Sequence, residues 1–337
     1  MSEIWRPSPA RAADANLTRF IESVAARKNL PLSGYDELYS WSVCEPAQFW
    51  EELARFTGVR ADWGPGPTLE NPGQMPGARF FPNARLSFAE NLLRYRDDQP
   101  ALVFRNERGH RREITYRQLH DEVARVADGL KAAGVVAGDR VAGFLPNLPE
   151  SAIAMLAATS LGAIWSSCSP DFGIHGVLDR FGQINPKVLF SADGYFYAGK
   201  DLDSLTPVAE VLAKIPSIQQ VVVIPYVSPE PAFERLGAAA SKATLFGAFG
   251  KSGAALQFVR TAFNHPLYVL YSSGTTGVPK CIVHGVGGTL LQHQKEHVLH
   301  TDLKRADRLF YFTTCGWMMW NWLISGLATG ATLVLLV

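Results

Sequence analysis

The sequence predicts an α/β protein with parallel sheets that helices cover on both faces. The chain has 337 residues, of which 47% are apolar, and this length is enough for roughly two domains of ordinary size. From residue 101 onward, short apolar segments alternate with segments of helical length and pattern. Such alternation is typical of parallel sheets, because the helices that connect the strands bury both faces.

Charge and cysteine usage exclude several classes of protein. The chain has 32 Lys+Arg and 31 Asp+Glu, a net charge of +1, which argues against disorder and against electrostatic binding of nucleic acid. The four cysteines show no C-x-x-C or other metal-site spacing. This favours a reduced, cytoplasmic protein with buried thiols over a disulfide framework. The cysteines are Cys44, Cys168, Cys281 and Cys315.

Residues 1–95 are predicted to wrap around the rest of the protein without a core of their own. They contain aromatic-rich helical segments such as 46–56, followed by a Pro/Gly-rich stretch at 63–77 that predicts an extended connector. No apolar run of signal-peptide length follows Arg6 and Arg11, so the sequence does not support secretion.

Residues 96–337 carry the alternating elements. The first helix is predicted to begin after Thr115, a good N-cap residue, and to end at Gly134. The Ala/Gly-rich segment 236–256 is predicted to be a surface insertion. The other helices are predicted at 149–161, 289–300 and 318–327, and the strands at 101–104, 140–144, 163–167, 188–190, 221–224, 267–271, 309–312 and 332–337.

The segment from Leu309 to Val337 contains no Asp, Glu, Lys or Arg and is long enough to span a bilayer. Glycines and Asn321 interrupt it, and it divides into a strand-like start, a helical middle and a β-branched end. Buried α/β elements are therefore favoured over a membrane span. The final strand, 332–337, is expected to be central in its sheet, which favours an N-terminal piece of a longer protein because termini usually lie at the surface.

The segment from Tyr271 to Lys280 has the composition of a phosphate-binding loop. It follows an apolar strand and precedes a segment with a helical pattern. Gly274 and Gly277 would let the backbone approach a phosphate, hydroxyls and amides would donate hydrogen bonds, and Lys280 would add positive charge. The spacing differs from that of a Walker A loop, in which a hydroxyl residue would stand at Cys281. Composition alone leaves a polar turn equally open.

The order of the residues from Val269 to Lys280 matches the AMP-binding signature of the adenylate-forming synthetases. The chain resembles this acyl-CoA synthetase superfamily over nearly its whole length, with further similar blocks at 115–119, 138–141 and 146–150. The resemblance implies an N-terminal extension of the acetyl-CoA-synthetase-like type in residues 1–95. It also implies an adenylate-forming large domain, incomplete at its C-terminal side, in residues 96–337, and a small C-terminal domain that this chain lacks.

Three segments, 81–93, 165–173 and 313–321, narrow the resemblance to the acetoacetyl-CoA synthetase subfamily. Acetyl-CoA synthetases have a Gly-Gly-Phe element where Pro170 and Asp171 stand in this chain. The resemblance therefore favours acetoacetate as the substrate acid. An acetyl- or propionyl-CoA synthetase remains an alternative, as does a truncated homologue that binds nucleotide without turnover.

The resemblance implies two steps. A carboxylate attacks the α-phosphate of ATP bound to Mg²⁺, which gives an acyl-adenylate and pyrophosphate, and the thiol of CoA then displaces AMP. Because both reactants of the first step are anions, the site must offset negative charge and hold the reactants in line. The family's adenine- and ribose-binding motifs and its distal catalytic lysine lie downstream of the matched blocks. We therefore expect little ligase activity from these 337 residues alone.

The resemblance also assigns residues to the site. Lys280 is the expected catalytic residue, and Lys200 stands, beside Tyr197, at the family position that contacts the CoA nucleotide. For the large apolar residues of the acyl channel, core packing is the alternative. The expected ATP-phosphate loop consists of Ser272, Ser273, Gly274, Thr275, Thr276, Gly277 and Lys280, and the expected acyl channel of Trp317, Met318, Met319 and Trp320.

The histidines after the loop suggest a second kind of site. His293 and His297 have the H-x-x-E-H spacing of inverted zinc peptidases, with His300 beyond them. A distant carboxylate ligand is missing, since Asp302 and Asp307 are the only acids after His300, so packing histidines are favoured and no metal site is expected. His284 is likewise expected to pack and not to act as a base.

Overall fold

The computed structural model describes residues 4–272 and 277–337. In this part of the chain, α-helices, strands and a few shorter helical turns follow one another, and several of them were not predicted from the sequence. The helices are α1 (Pro9–Asp14), α2 (Asn16–Lys28), α3 (Tyr35–Cys44), α4 (Pro46–Phe56), α5 (Phe88–Leu92), α6 (Tyr116–Ala132), α7 (Pro149–Ser160), α8 (Gly173–Ile184), α9 (Leu205–Lys214), α10 (Val286–Gln294) and α11 (Met318–Ser325).

The eight strands that the sequence predicts begin and end within two residues of their predicted bounds, and all the strands of the described chain are short. They are β1 (Ala61–Asp62), β2 (Leu69–Glu70), β3 (Arg79–Phe80), β4 (Arg85–Leu86), β5 (Pro100–Arg105), β6 (Arg111–Thr115), β7 (Arg140–Phe144), β8 (Ile164–Cys168), β9 (Val188–Ala192), β10 (Gly194–Tyr197), β11 (Lys200–Asp203), β12 (Gln220–Ile224), β13 (Ala243–Leu245), β14 (Thr261–Ala262), β15 (Pro266–Tyr271), β16 (Cys281–Gly285), β17 (Arg308–Phe310) and β18 (Thr332–Leu336).

The largest sheet has seven strands in the order β13-β12-β9-β7-β8-β15-β16. All neighbours pair in parallel except β15 and β16. Consecutive residues of its strands point to opposite faces: Val141 and Phe190 pack with α6 and α7, whereas Ala142 and Leu189 pack with α8 and α9. The predicted parallel sheet with helices on both faces is thereby confirmed.

Helix α6 begins as its sequence predicts. The Thr115 hydroxyl accepts a hydrogen bond from the Gln118 backbone N–H at 3.2 Å, and the Gln118 side chain accepts from the Thr115 N–H at 2.9 Å. This reciprocal capping box satisfies two backbone donors that have no partner within the helix. Leu119 and Val123 on its buried face are fully enclosed.

A second sheet has the order β17-β18-β5-β6. Strand β18 lies between β17 and β5 and is parallel to both, and its Leu333 and Leu335 are fully buried. The expectation that the last strand is central in its sheet is confirmed. Leu309 to Val337 divides into β17, α11, a 3₁₀ turn (Gly326–Thr329) and β18. Within the described ranges, no helix is long and apolar enough to cross a membrane.

The segment 236–256 is not a surface insertion. Its strand β13 forms one edge of the seven-stranded sheet, and its Phe246 and Phe249 are buried against Phe190. The Arg125 guanidinium donates hydrogen bonds to the carbonyl oxygens of Phe246 and Phe249 at 2.6 and 2.7 Å. The prediction was wrong because it was based on the high content of alanine and glycine and gave no weight to two aromatic side chains, Phe246 and Phe249, which hold the segment in place.

The N-terminal helices also differ from the expectation, because they have a small core of their own. Phe20, Trp41, Phe49 and Leu53 pack together, and Leu299 from the π-helical turn Lys295–His300 joins them. At the edge of this core, the buried Glu52 carboxylate accepts a hydrogen bond from Arg27 Nε at 3.0 Å. The thiols differ as well: Cys168 and Cys315 are buried, but Cys44 and Cys281 are exposed.

Candidate functional site

The predicted phosphate loop connects β15 to β16, and its two ends are joined by a hydrogen bond. The Ser272 backbone N–H donates to the carbonyl oxygen of Lys280 at 3.0 Å. Gly277 has φ = 142°, a conformation that favours glycine. The Lys280 side chain is exposed. Ser273, Gly274, Thr275 and Thr276 lie outside the described residues.

The element after the loop is a strand, where the sequence had suggested a helix. Strand β16 pairs antiparallel with β15, with Tyr271 opposite Cys281, and α10 begins only at Val286. In the described residues after Gly277, a strand and not a helix N-terminus follows the loop directly. Lys280 is consequently the charged residue of the loop that can offset the charge of an anion.

The strand that leads into the loop is fixed by its tyrosine. The hydroxyl groups of Tyr271 and Ser166 are 3.0 Å apart, and the Tyr271 hydroxyl donates to the carbonyl oxygen of Arg180 at 3.3 Å. Burial raises the pKa of Tyr271 above its usual value, so the phenol stays neutral at pH 7. On the other side of the loop, the Gln183 side-chain amide donates to the Pro279 carbonyl oxygen at 2.8 Å. Helix α8 thus supports both ends of the loop.

Segments 165–173 and 313–321, on which the resemblance to the acetoacetyl-CoA synthetase subfamily depends, contact each other. The Ser167 hydroxyl donates to the carbonyl oxygen of Cys315 at 2.7 Å. A Cβ atom on Gly316 would lie 2.3 Å from the ring of Phe172, so only glycine fits against that ring. The guanidinium of Arg180 lies 4.6 Å from the same ring. The loop, α8 and the start of α11 therefore form one connected region.

A cleft of about 680 Å³ lies between β16, α10 and α11. We call it the α10–α11 cleft. Met318 and Met319, which the resemblance assigns to the acyl channel, line this cleft. Other residues of its wall are Val283, His284, Gln292, His293, Glu296 and Trp322.

The two tryptophans assigned to the acyl channel occupy different positions. Trp317 is 63% exposed at the start of α11. Trp320 is fully buried, and its indole N–H donates to Asn147 Oδ1 at 2.9 Å. Trp320 thus packs in the core and is not among the residues that line this cleft. Its assignment to the acyl channel stays a prediction.

The histidines near the cleft are neutral at pH 7. Burial, followed by the proximity of His297 and His284, lowers the pKa of His293 to about 3. Burial lowers the pKa of His297 to about 4, and its Nε2 lies 2.9 Å from the Trp322 carbonyl oxygen, to which it donates. In the described part of the chain, no group of three or more His, Cys, Asp or Glu side chains is arranged to hold a metal ion.

Lys200 and Tyr197 face each other at the end of the β10–β11 hairpin, where both side chains are exposed. The turn is held from another element: the Gly199 N–H donates to Glu107 Oε1 at 2.9 Å, and Arg108 Nη2 donates to the Gly199 carbonyl oxygen at 3.0 Å. Arg108 therefore places a second cation beside Lys200. Sequence reasoning missed this arginine because 91 residues separate it from Gly199.

Comparison with known proteins adds the following findings. A family model described as "AMP-binding enzyme" matches residues 88–337, and one described as "Acetyl-coenzyme A synthetase N-terminus" matches residues 35–92. Acetoacetyl-coenzyme A synthetase of Rhizobium meliloti is 47% identical over 332 residues, which cover 98% of this chain and 50% of that protein. The acetoacetyl-CoA synthetase of Rattus norvegicus is 43% identical over 341 residues, 98% of this chain and 50% of its own length.

Two further relatives extend the comparison. Malonamoyl-CoA synthetase vrtB of Penicillium aethiopicum is 40% identical over 343 residues, 98% of this chain and 47% of its own length. The solved structure of acetoacetyl-CoA synthetase from Streptomyces lividans has a TM-score of 0.94 and 41% identity, and the match covers 100% of this chain and 51% of that one. The chain spans about half the length of the curated relatives it matches.

Proposed function

This chain belongs to the AMP-binding enzyme family, and from that membership we propose that it is the ATP- and acid-binding part of an AMP-forming acid–CoA ligase whose acid is acetoacetate. The names of its relatives support this choice of acid. The acetoacetyl and malonamoyl groups in those names both carry a carbonyl group on the carbon beyond the one next to the carboxylate. Acetate and propionate lack that oxygen.

One observation carries the proposal: strand β16 joins the phosphate loop to the α10–α11 cleft. Lys280 immediately precedes β16, and Val283 and His284 of the same strand line the cleft. Four residues of a strand span about 13 Å. Acetoacetate is shorter than this span, so in this proposal the α-phosphate of ATP lies beside β16, between the loop and the cleft, and the acyl group of the acid enters the cleft from there.

In this proposal each residue has a physical task. Lys280 offsets negative charge at the phosphates, and the backbone and hydroxyl groups of Ser272 to Gly277 donate hydrogen bonds to phosphate oxygens. Mg²⁺, expected to bind together with ATP, would offset further phosphate charge. Met318 and Met319 supply adaptable apolar walls for the acyl group, with Trp317 at the start of α11.

The CoA-binding part of the proposal rests on Lys200. Its exposed ammonium group and the neighbouring guanidinium of Arg108 would face the phosphates of the CoA nucleotide. Arg108 is already paired with Asp201, which reduces the charge that it can offer. We also propose that residues 1–95 form the N-terminal extension and that residues 96–337 form the partial large domain, which contains both the loop and the cleft.

The test is acid-dependent exchange of pyrophosphate into ATP. It is measured on the polypeptide as its source cell makes it, at its natural length, and separately on residues 1–337 alone. We expect the natural polypeptide to catalyse exchange faster with acetoacetate than with acetate or propionate, and residues 1–337 alone to catalyse little. Faster exchange with acetate would favour an acetyl-CoA synthetase, and ATP binding without exchange would favour the non-catalytic alternative.

A pair of lysine variants tests whether the positive charge of Lys280 is needed for the exchange reaction. Lys280→Ala is expected to lower the exchange rate by about 100-fold, a loss typical of removing one group that stabilises a developing charge. Lys251→Ala removes another exposed lysine, from the loop that follows Phe249, and should leave the rate unchanged. Equal effects of the two changes would contradict the role of Lys280.

A further inference from the structure

His293 is a buried polar residue in the wall of the α10–α11 cleft, and the proposed function gives it no role so far. It lies on α10 and is 6% exposed. Its Nδ1 atom is buried and has no hydrogen-bond partner among residues 4–272 and 277–337. Buried polar atoms nearly always have a partner, and one without it destabilises the fold. Such an atom in the wall of a cleft points to a ligand that supplies the missing partner.

The chemistry of the ring limits what this ligand can be. With its pKa lowered to about 3, the imidazole of His293 is neutral at pH 7, so it has one N–H donor and one acceptor nitrogen. A neutral ring offers no charge to a carboxylate, but it can donate a hydrogen bond to an uncharged carbonyl oxygen. Met318 and Met319, in the same cleft, would surround the carbon atoms that carry such an oxygen.

Among the other polar groups of the cleft, the buried Trp322 indole N–H is a second donor without a partner in the described residues, whereas the groups named next already have contacts within the protein. The Gln292 amide nitrogen donates to Glu296 Oε1 at 3.0 Å. The Glu296 carboxylate, when ionised, accepts hydrogen bonds only. The ring of His284 packs on that of Tyr268, with centroids 5.1 Å apart.

We propose that His293 selects for a 3-oxo acid by donating a hydrogen bond from its neutral ring to the ketone oxygen of the substrate. The proposal rests on the proposed function, because it assumes that the acyl group enters the α10–α11 cleft. In this proposal, His293 distinguishes acetoacetate from butyrate. Butyrate has a methylene group where acetoacetate has the ketone.

The first test observes His293 itself in the wild-type polypeptide of natural length. The imidazole ¹⁵N resonances of His293, assigned with a His293→Phe variant, are recorded while acetoacetate or butyrate is added in the presence of ATP and Mg²⁺. We expect acetoacetate, but not butyrate, to shift the resonance of the donating nitrogen. A His293 resonance that responds to both acids alike, or to neither, overturns the proposal.

The second test measures selectivity as the ratio of kcat/KM for acetoacetate to kcat/KM for butyrate. His293→Phe keeps a ring but removes the donor, and should lower this ratio about tenfold, with most of the change in the acetoacetate value. His293→Asn retains an N–H donor and should restore part of the ratio. His300→Phe, an exposed histidine on the same helical segment, is the matched control and should leave the ratio unchanged.

The outcomes separate this proposal from the proposed function. If the wild-type enzyme prefers acetoacetate and His293→Phe slows both acids equally, His293 only packs and the ligase assignment stands. If wild-type protein shows no exchange with any acid, the proposed function fails. In that case the resonance measurement still decides whether His293 binds a ketone oxygen.

Discussion

At the residue scale, His297 is a histidine that the fold keeps neutral. It is fully buried, and Nε2 donates its proton to the Trp322 carbonyl oxygen and lies 3.0 Å from the Ser325 hydroxyl. Its ring packs on the indole of Trp322, with centroids 4.2 Å apart. These contacts join the π-helical turn after α10 to α11. They give His297 a structural task where the zinc-peptidase spacing had suggested a metal ligand.

This burial predicts a specific loss of stability in acid. The pKa of His297 falls from 6.5 to about 4 on folding, so between these values the unfolded chain binds a proton that the folded chain does not. The contribution of His297 to the free energy of unfolding is therefore complete above pH 6.5 and decreases as the pH falls towards 4. Urea unfolding at these two pH values measures the decrease.

The control separates His297 from the other groups that titrate in acid. His297→Gln retains an N–H donor for Trp322 but does not titrate, so its stability should decrease less between the two pH values than that of wild type. His300→Gln alters an exposed histidine and should preserve the wild-type pH dependence. A variant at His297 that loses as much stability in acid as wild type would contradict the argument.

At the element scale, the segment 236–256 shows how two aromatic residues integrate an Ala/Gly-rich segment into the sheet. Phe249 packs against the ring of Phe190 at a centroid distance of 5.9 Å. A Cβ atom on Gly129 of α6 would lie only 2.7 Å from the Phe249 ring, so helix and ring are in close contact. The backbone that carries Phe249 is held by Arg125. Phe246 and Phe249 are therefore part of the core and hold the segment against it, whereas most of its other residues are not buried.

Removing the Phe249 ring should consequently destabilise the whole protein. Phe249→Ala is expected to lower the free energy of unfolding by about 3–5 kcal/mol, as for other buried aromatic side chains. Leu245→Ala, in the same segment but 38% exposed, should change it much less. Urea denaturation followed by tryptophan fluorescence compares the two. Similar small effects would mean that the segment is a loose insertion after all.

At the scale of the whole molecule, several large apolar side chains between residues 310 and 336 are exposed. Strand β17 is an edge strand of its sheet, and Phe310 at its end and Phe312 beyond it are 50% and 76% exposed. Trp317 and Leu336 are 63% and 39% exposed. Exposed apolar surface beside an unpaired strand edge favours association with other chains.

We therefore expect residues 1–337, produced alone, to associate with each other as the concentration rises. Phe312→Lys should weaken this association, because it places a charge on the apolar surface. Tyr39→Lys is a matched control, since Tyr39 is 58% exposed on α3. Sedimentation velocity over a range of concentrations measures the association. Equal behaviour of the two variants would show that β17 and its neighbours do not form the associating surface.

Much of the fold could be predicted from residue patterns alone. Strand β7 and helix α4 have the predicted bounds, and the Thr115 cap begins α6 as expected. Less of the candidate site could be predicted from the sequence. Met318 and Met319 line the cleft, but their role in an acyl channel stays a prediction. The partner of Trp320 and the unpaired Nδ1 of His293 depend on contacts between distant elements.

The sequence by itself determined helices α4, α6, α7 and α11 and eight of the strands, because hydrophobic periodicity, caps and glycines act between residues that are close along the chain. Only the tertiary structure decided how the strands divide between sheets, that a strand follows the phosphate loop, and that two aromatic side chains of the Ala/Gly-rich segment join the core. It also decided which histidines line the cleft. These features depend on burial and on contacts between residues far apart in sequence, which no local pattern encodes.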